Sequence, residues 1–423
     1  MPLSSRAQSL SRIANLAAKR WVHAAFAWIH GNPKVLLDWQ IELCAIPAPP
    51  FGEGPRAEWL TARFREIGLT DIATDTAGNV RAWLPAPHLH RESTGPIVVL
   101  SAHLDTVFPA GTPLQPVFRT VAKVERLEAP GACDNAAGVI GMLAIAKALL
   151  IAGAELPVPL LFVGNVGEEG EGDLRGVRHL YGEAGLAGRI AAHVVLDGAG
   201  DDSAVTQALG SRRYQVTING PGGHSFTDAG TVNPIAALAT ALATLATTRL
   251  PDEPRTTLNL GTIRGGTSVN SIPESAAASI DFRSTSGDEL LRLEVALHRA
   301  VEDAVEMWNT AARSAGMRER GLLTFVIECI GNRPAAQLPD DSPILEALQA
   351  VDRHLALKTG TRLGSTDANI PISLGVPALS LGAGGEGGGA HTLAEWYAPK
   401  DREIGLRRAL LLILAMADWA AEQ

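Results

Sequence analysis

Short apolar runs alternate with helical patterns through the first half of the chain, and this alternation strongly limits the possible folds. The segments "IVVLSAHLD", "VPLLFVGNVG" and "AAHVVLDGAG" are largely apolar at successive positions, as in strands that are buried on both faces of a sheet. The helical patterns "WLTARFREIGL" and "AAGVIGMLAIAKALLIAGA" precede and separate them. The order predicts an α/β fold in which helices cover both faces of the sheet.

The pattern changes near residue 208 and returns near residue 333. "SRRYQVTING" alternates polar and apolar residues, which is typical of a strand with one exposed face. It opens a β-α-β-β-α-β order that predicts a small α+β domain of ferredoxin-like arrangement. We therefore expect four segments, which are a helical N-terminal extension at 1–40, a large domain at 41–207 and 333–423, and a domain inserted at 208–332.

Composition narrows the class of protein. The chain has 423 residues, 46% of them hydrophobic and 19% charged, which is enough for two or three domains with a substantial core. A net charge of −9 argues against a nucleic-acid-binding protein. The three cysteines are too sparse for a disulfide framework or a cysteine metal site. The basic N-terminus lacks a continuous apolar core, so we expect an amphipathic helix and a cytoplasmic protein that does not enter a membrane.

Histidine and carboxylate side chains follow the apolar strands at the point where each strand ends. His103 and Asp105 end the first run, Glu168 and Glu169 end the second, and Asp197 ends the third. In open α/β sheets the carboxyl ends of the strands line the ligand crevice. We therefore expect these five side chains to lie at one edge of the sheet.

Two more candidates join this edge. Asp134 immediately precedes a helical pattern, and His391 follows a glycine-rich run. Singly, such residues are often helix caps, surface histidines or acids of a solvated loop. Their occurrence together at matching positions favours a set of nitrogen and oxygen ligands, which suits Zn²⁺, Mn²⁺ or Co²⁺.

A series of motifs carries a resemblance to a known family. In order they are "SAHLDTV", "GACDNAAGV", "GEEGEGDLRG", "LDGAG", "GPGGHSF" and "GAHTLAEW". From Ile41 onward the chain resembles the dinuclear zinc hydrolases typified by peptidase T, aminoacylase and bacterial glutamate carboxypeptidase. The resemblance implies a catalytic domain with a mixed sheet flanked by helices. It also implies that the inserted domain acts as a lid and forms a homodimer, with the alternative that some relatives carry an extended lid and stay monomeric.

The same resemblance implies how two divalent metal ions are held. Zinc is the expected metal, with cobalt or manganese as alternatives. His103 and Asp197 would bind one ion, and Glu169 and His391 would bind the other. Asp134 would bridge both, and the peptide bond that follows it would be cis.

Three further residues take catalytic roles by resemblance. Asp105 would orient the His103 imidazole. Glu168 would be the general base, which takes a proton from the water shared by the two metals and returns it to the leaving amine. His224, in the inserted domain, would support the oxyanion of the tetrahedral intermediate.

Three residues are candidate substrate contacts. Asn270 and Arg283 lie in segments that resemble the lid of the family, and the Arg283 guanidinium would suit a substrate carboxylate. Arg283 could equally form an ion pair on the surface of a strand. Asp367 could either position a substrate amine or cap a turn.

The choice of substrate rests on the residue at position 197. Family members with aspartate there tend to be aminopeptidases or dipeptidases, so we expect an aminopeptidase that acts on di- and tripeptides. An N-acyl-amino-acid amidohydrolase or a carboxypeptidase with the same metals is the alternative. A third possibility is a metal- or peptide-binding protein without activity, which the presence of Glu168 disfavours.

Overall fold

The computed structural model describes residues 2–85, 94–183, 186–316 and 321–423, with side chains from Ser9 onward. The chain divides into two compact units. The large unit comprises Met1–Ala208 and Gln337–Gln423, and the small unit comprises Leu209–Ala336.

The helices span from 5 to 28 residues. They are α1 (Pro2–Ala17), α2 (Arg20–Gly31), α3 (Pro33–Cys44), α4 (Gly54–Ile67), α5 (Ala136–Ile151), α6 (Arg175–Gly182), α7 (Pro234–Ala246), α8 (Gly287–Ser314), α9 (Pro343–His354), α10 (Asn369–Ser373) and α11 (Arg402–Ala420).

The strands span from 2 to 10 residues. They form four sheets within the described residues. They are β1 (Thr70–Thr74), β2 (Val80–Leu84), β3 (Ile97–His103), β4 (Val117–Val121), β5 (Val124–Glu128), β6 (Leu160–Asn165), β7 (Ile190–Leu196), β8 (Ser203–Ala208), β9 (Gly210–Asn219), β10 (Gly223–His224), β11 (Thr256–Gly265), β12 (Ser271–Ile272), β13 (Ser275–Ser284), β14 (Thr324–Arg333), β15 (Ala336–Gln337), β16 (Gly360–Gly364), β17 (Ala378–Leu381), β18 (Glu386–Gly388) and β19 (Trp396–Ala398).

A mixed sheet forms the centre of the large unit, in the order β1-β2-β6-β3-β7-β17-β8-β15 with β16 paired to β8. The strands β6, β3, β7 and β17 run parallel to one another, whereas β1 and β2 pair antiparallel. Every residue of β3 and β6 is buried, and α5 and α11 both pack against β3 and β7. The predicted α/β fold class, with a mixed sheet flanked by helices, is confirmed.

The N-terminal segment forms three helices in place of the single amphipathic helix that we expected. A break at Lys19 separates α1 from α2, and Asn32–Pro33 starts α3 with a proline in its first turn. α1 packs on α9 and α11, and both α2 and α3 pack on α5. The segment is thus part of the large unit.

A second sheet of the large unit has the order β18-β19-β5-β4. Its hairpin β4–β5 was not predicted, because "VFRTVAKVERLE" is charged and β4 is mostly exposed. The strand β19 pairs with β5 through Trp396 and Tyr397. This pairing brings the segment after His391 beside the segment that precedes Asp134.

The small unit contains an antiparallel sheet in the order β11-β13-β9-β14, against which α7 and α8 pack. In β9 the residues Tyr214, Val216 and Ile218 are buried in a cluster with the apolar faces of the two helices. Their alternation with half-exposed residues explains the period of two in the sequence. β10 and β12 form a separate two-stranded ribbon. In the described part of the chain, no helix has the length and apolar character required to cross a bilayer.

Candidate metal centre

The predicted donors lie where three adjacent parallel strands end. In the order β6-β3-β7, His103 is the last residue of β3 and pairs with Asn165, the last residue of β6. β7 ends at Leu196, one residue before Asp197. Since parallel strands present their carboxyl ends at one edge, the chain segments that leave these strands start side by side.

Asp134 lies between two histidines. Its Oδ1 is 3.1 Å from Nε2 of His103, and its Oδ2 is 2.9 Å from Nε2 of His391. Nε2 of His103 is also 3.8 Å from Oδ1 of Asp197, and Nε2 of His391 is 3.2 Å from Oε1 of Glu169. Two groups of three donors therefore share the Asp134 carboxylate, and the donor atoms within each group lie within 4.8 Å of one another.

The backbone around Asp134 is held by the residue that follows it. Asn135 caps α5, because its Oδ1 accepts from the backbone N–H of Gly138 at 3.1 Å. The same oxygen accepts from the N–H of Gly198 at 3.0 Å, and Asn135 Nδ2 donates to the Leu196 carbonyl at 2.9 Å. The Asp134–Asn135 peptide bond is cis. The side-chain amide of Asn135 thus connects the start of α5 to the chain at the end of β7, next to Asp197.

Asp105 connects two of the candidate donor segments. Its buried carboxylate accepts from the backbone N–H of Glu168 at 3.0 Å and of Glu169 at 2.7 Å. Nδ1 of His103 donates to the Asp105 carbonyl at 3.1 Å and lies 3.6 Å from its Oδ1. Nδ1 therefore carries a proton, and the other ring nitrogen, Nε2, faces Asp134 and Asp197.

A buried arginine lies directly behind this edge. Arg56 is 1% exposed, and it donates from Nη1 to the Leu104 carbonyl and from Nε to the Ile46 carbonyl, each at 3.0 Å. It thereby holds the backbone between His103 and Asp105. The sequence analysis missed it, because an arginine in the pattern of α4 has the appearance of a surface residue.

The charges of the site influence one another strongly. Burial alone would raise the pKa of Asp134, but its contacts with His103 and His391 hold that pKa well below the usual range. Burial would likewise lower the pKa of His103, yet Asp105, Asp134 and Asp197 raise it well above the usual value. In the protein alone, the histidines therefore act as the positive partners of the carboxylates.

The second donor group has its own electrostatic signature. Burial, followed by the nearby Asp134 charge, raises the pKa of Glu169 to about 7. The contact with Asp134 raises the pKa of His391 to about 9. Carboxylates and imidazoles that compete for protons in this way form a donor set that fits divalent cations such as Zn²⁺.

Glu168 lies at the edge of this donor set and is 5% exposed. One carboxylate oxygen of Glu168, one ring nitrogen of His103 and one carboxylate oxygen of Glu169 lie within 4.8 Å of one another. The predicted general base is therefore close to the predicted ligands.

Asp367 contacts the last residue of β6. It is fully buried, its Oδ2 accepts from Asn165 Nδ2 at 2.6 Å, and burial raises its pKa to about 7. This contact joins Asp367 to the end of β6 and is not a turn cap, so positioning a substrate amine and capping a turn both stay predictions for this residue.

The remaining predicted residues belong to the small unit. His224 is exposed, and its Nδ1 accepts from the backbone N–H of Phe226 at 3.2 Å and of Thr227 at 3.4 Å. The carbonyl of Asn270 accepts from the N–H of Ser225 at 3.0 Å, so the structure brings His224 and Asn270 together.

Arg283 lies on the surface of β13 in the small unit. Its Nε donates to Oδ2 of Asp281 at 2.8 Å. This is the strand-surface ion pair that the sequence left as the alternative.

Comparisons with known proteins agree with this arrangement. The sequence profile of Peptidase family M20/M25/M40 matches residues 99–415. The chain is 28% identical over 332 residues to an Aspergillus clavatus protein named "Probable carboxypeptidase", which covers 74% of this chain and 70% of that protein.

Solved structures share the fold over most of the chain. A tripeptidase from Staphylococcus aureus superposes with a TM-score of 0.67 at 23% identity, covering 93% of this chain and 99% of that one. A Bacillus subtilis protein described as a dinuclear metal-binding peptidase from the M20 family has a TM-score of 0.59 at 18% identity, covering 91% and 98%. The resemblance noted in the motifs is confirmed: this chain belongs to Peptidase family M20/M25/M40, and it is a metallopeptidase.

Proposed function

We propose that this protein hydrolyses the peptide bonds of small peptides with two divalent metal ions, as an aminopeptidase acting on di- and tripeptides. Zinc is the expected metal, with cobalt or manganese as alternatives. The observation that carries the proposal is the Asp134 carboxylate, whose two oxygens face His103 and His391 separately. One carboxylate shared by two donor groups suits a pair of cations better than a single one.

The ligands follow from the two donor groups. His103, Asp134 and Asp197 would hold one ion, and Asp134, Glu169 and His391 would hold the other. When bound, the ions would polarise the scissile carbonyl and make a water molecule more acidic.

Glu168 would act as the general base. A carboxylate beside the reacting water accepts a proton from it and then returns this proton to the leaving amine. The hydrogen bonds from the backbone N–H groups of Glu168 and Glu169 to Asp105 hold the segment that carries this base. Asp105 therefore positions both the His103 imidazole and the general base.

The hydrogen bonds of the His224 ring suit a role as an oxyanion donor. Its Nδ1 accepts from two backbone N–H groups, so the proton of the neutral ring is on Nε2. An N–H donor of this kind stabilises the negative oxygen of a tetrahedral intermediate. By the family resemblance, we also infer a homodimer through the small unit.

Three activities are candidates for the substrate assignment. Aspartate at position 197 favours an aminopeptidase, by the tendency within the family. The relative named "Probable carboxypeptidase" favours a carboxypeptidase, and an N-acyl-amino-acid amidohydrolase would use the same metal chemistry.

The test is a panel of matched substrates with metal-loaded protein. The panel contains one tripeptide in unblocked, N-acetylated and C-amidated forms, together with the N-acetylated single amino acids. An aminopeptidase releases the N-terminal residue of the unblocked and C-amidated forms and spares the N-acetylated form. Cleavage of the N-acetylated form with release of its C-terminal residue would establish the carboxypeptidase. Release of acetate would establish the deacylase, and inactivity on the whole panel with two metals bound would contradict a peptidase of small substrates.

A further inference from the structure

We propose that Glu395 is a positioning residue of the metal centre, which shapes the loop that carries Asp134 so that its carboxylate can serve both ions. The inference rests on the proposed dinuclear function, and it gives a role to a residue outside the predicted ligand set. Glu395 follows His391 by four positions and is fully buried.

The Glu395 carboxylate accepts three backbone hydrogen bonds from the loop before α5. Its Oε2 accepts from the N–H of Gly131 at 2.7 Å. Its Oε1 accepts from the N–H groups of Cys133 and Asp134, each at 2.7 Å. Short bonds to a charged acceptor are among the stronger hydrogen bonds in proteins. The loop is therefore wrapped around this carboxylate, and the last of the three donors is the backbone of the shared ligand itself.

The Glu395 backbone adds a second connection. Its carbonyl accepts from the N–H of Ala129 at 3.1 Å, and its N–H donates to the carbonyl of Thr392 at 3.1 Å, which closes a turn after His391. The segment 391–395 thus supplies one candidate metal donor, His391. Through Glu395 it also binds backbone N–H groups along residues 129–134. Glu395 links the chain positions of His391 and Asp134, whose facing atoms are 2.9 Å apart.

The loop has one further support, from the N-terminal segment. Gln40, on α3, donates from Nε2 to the Ala132 carbonyl at 2.6 Å. Glu395 binds the N–H groups of the loop, and Gln40 binds one of its carbonyls. A loop fixed by both kinds of contact presents Asp134 in one orientation, which is how residues behind a ligand raise metal affinity.

A change of Glu395 to glutamine would separate positioning from packing. The two side chains have nearly the same shape, but glutamine has a single acceptor oxygen and an NH₂ group. Glutamine cannot accept hydrogen bonds at both oxygen positions. Its NH₂ group would therefore face either the N–H of Gly131 or the N–H groups of Cys133 and Asp134. The loop would lose its shape locally while the core volume is preserved.

The experiment measures metal affinity directly. Full-length wild type, E395Q and the control E422Q are stripped with a chelator and titrated with Zn²⁺ by calorimetry, and their Tm is measured with and without Zn²⁺. Glu422 is exposed and pairs with Arg12 at 3.1 Å, so its change tests the loss of a surface carboxylate. We expect E422Q to match the wild type. We expect E395Q to lose about 10- to 100-fold in affinity for at least one ion, with a smaller rise of Tm on adding Zn²⁺.

The outcomes separate the inference from the proposed function. If E395Q has a lower Tm without metal but binds both ions within threefold of the wild type, its role is purely structural and the inference is overturned. If the wild type does not bind two ions, the dinuclear function itself fails. If E395Q does not fold, E395D is the second variant. It retains both acceptor oxygens, but its shorter side chain withdraws them from the N–H groups of the loop, so the same loss of affinity is expected. Failure of both variants to fold would overturn the inference in favour of a requirement for folding.

Discussion

The candidate metal centre of the large unit and the His224 segment of the small unit hold their polar residues in opposite ways. His103 and Asp105 are 1% and 0% exposed, and hydrogen bonds fix each of them from behind. His224 and Asn270 are exposed, and they are held by a two-stranded ribbon and by local backbone contacts.

This difference matches the two kinds of task that we propose for these regions. Residues that hold a cation must keep their geometry in the absence of substrate, so they need buried partners that determine orientation. A residue that assists only when substrate is present needs its donor free and exposed. The small unit offers such a donor at little structural cost, because its own core lies between its sheet and α7 and α8.

The largest effect should come from the proposed general base, Glu168, at the candidate metal centre. Replacing Glu168 with glutamine removes the proton acceptor and retains the size of the side chain, so we expect kcat to fall by about 10⁴-fold with two metals still bound. Steady-state kinetics together with elemental analysis of metal content measure both quantities. A variant with the activity of the wild type would exclude Glu168 as the base.

Glu171 supplies the matched control for that change. It belongs to the same acidic run but is exposed, and no catalytic role is assigned to it. We expect Glu171→Gln to keep the activity of the wild type. An equal loss in both variants would show that the charge of the whole loop matters, and not one base.

A smaller effect is expected in the exposed region. Replacing His224 with alanine removes the proposed oxyanion donor, so kcat should fall by about 10²-fold while metal affinity and Tm remain unchanged. His298 is half-buried on α8 of the same unit, and His298→Ala is the control. Loss of metal from the His224 variant would contradict the division of tasks between the two regions.

The smallest effect concerns the pH dependence of stability, and it tests whether water reaches the buried His193 of the large unit. His193 on β7 is fully buried between the hydroxyls of Ser101 at 2.8 Å and Tyr181 at 3.1 Å, and burial lowers its pKa to about 3. The unfolded chain binds a proton here below a pH of about 6.5 and the folded chain does not. The folded state therefore loses stability as the pH falls from about 6.5 towards 3.

The matching measurement compares the wild type with His193→Gln, both free of metal. Between pH 7 and pH 5, the unfolding free energy of the wild type should fall by roughly 2 kcal/mol more than that of the variant. Denaturant titrations at the two pH values measure this difference. Equal pH dependence in both proteins would show that His193 is protonated in the folded state or reached by water.

Several features of the fold could be predicted because their signals are local. The apolar runs lead into His103, Glu168 and Asp197, and an uninterrupted apolar run indicates burial without knowledge of its partners. The breaks between the N-terminal helices and the hairpin β4–β5 were missed. Their residues are charged or exposed, and packing against α5, α9, α11 and β19 decides their structure.

The amino-acid sequence by itself determined the strands, the donors that follow them and the family to which the chain belongs, since each of these depends on patterns of a few neighbouring residues. Apart from Asp105, whose role the motif resemblance implied, only the tertiary structure decided which groups support those donors. Arg56 binds a carbonyl 48 positions away, and Glu395 binds N–H groups more than 260 positions away. A carboxylate or guanidinium that acts on a distant backbone leaves no periodic signal in the sequence, because the partner it orients is a peptide group that every residue possesses.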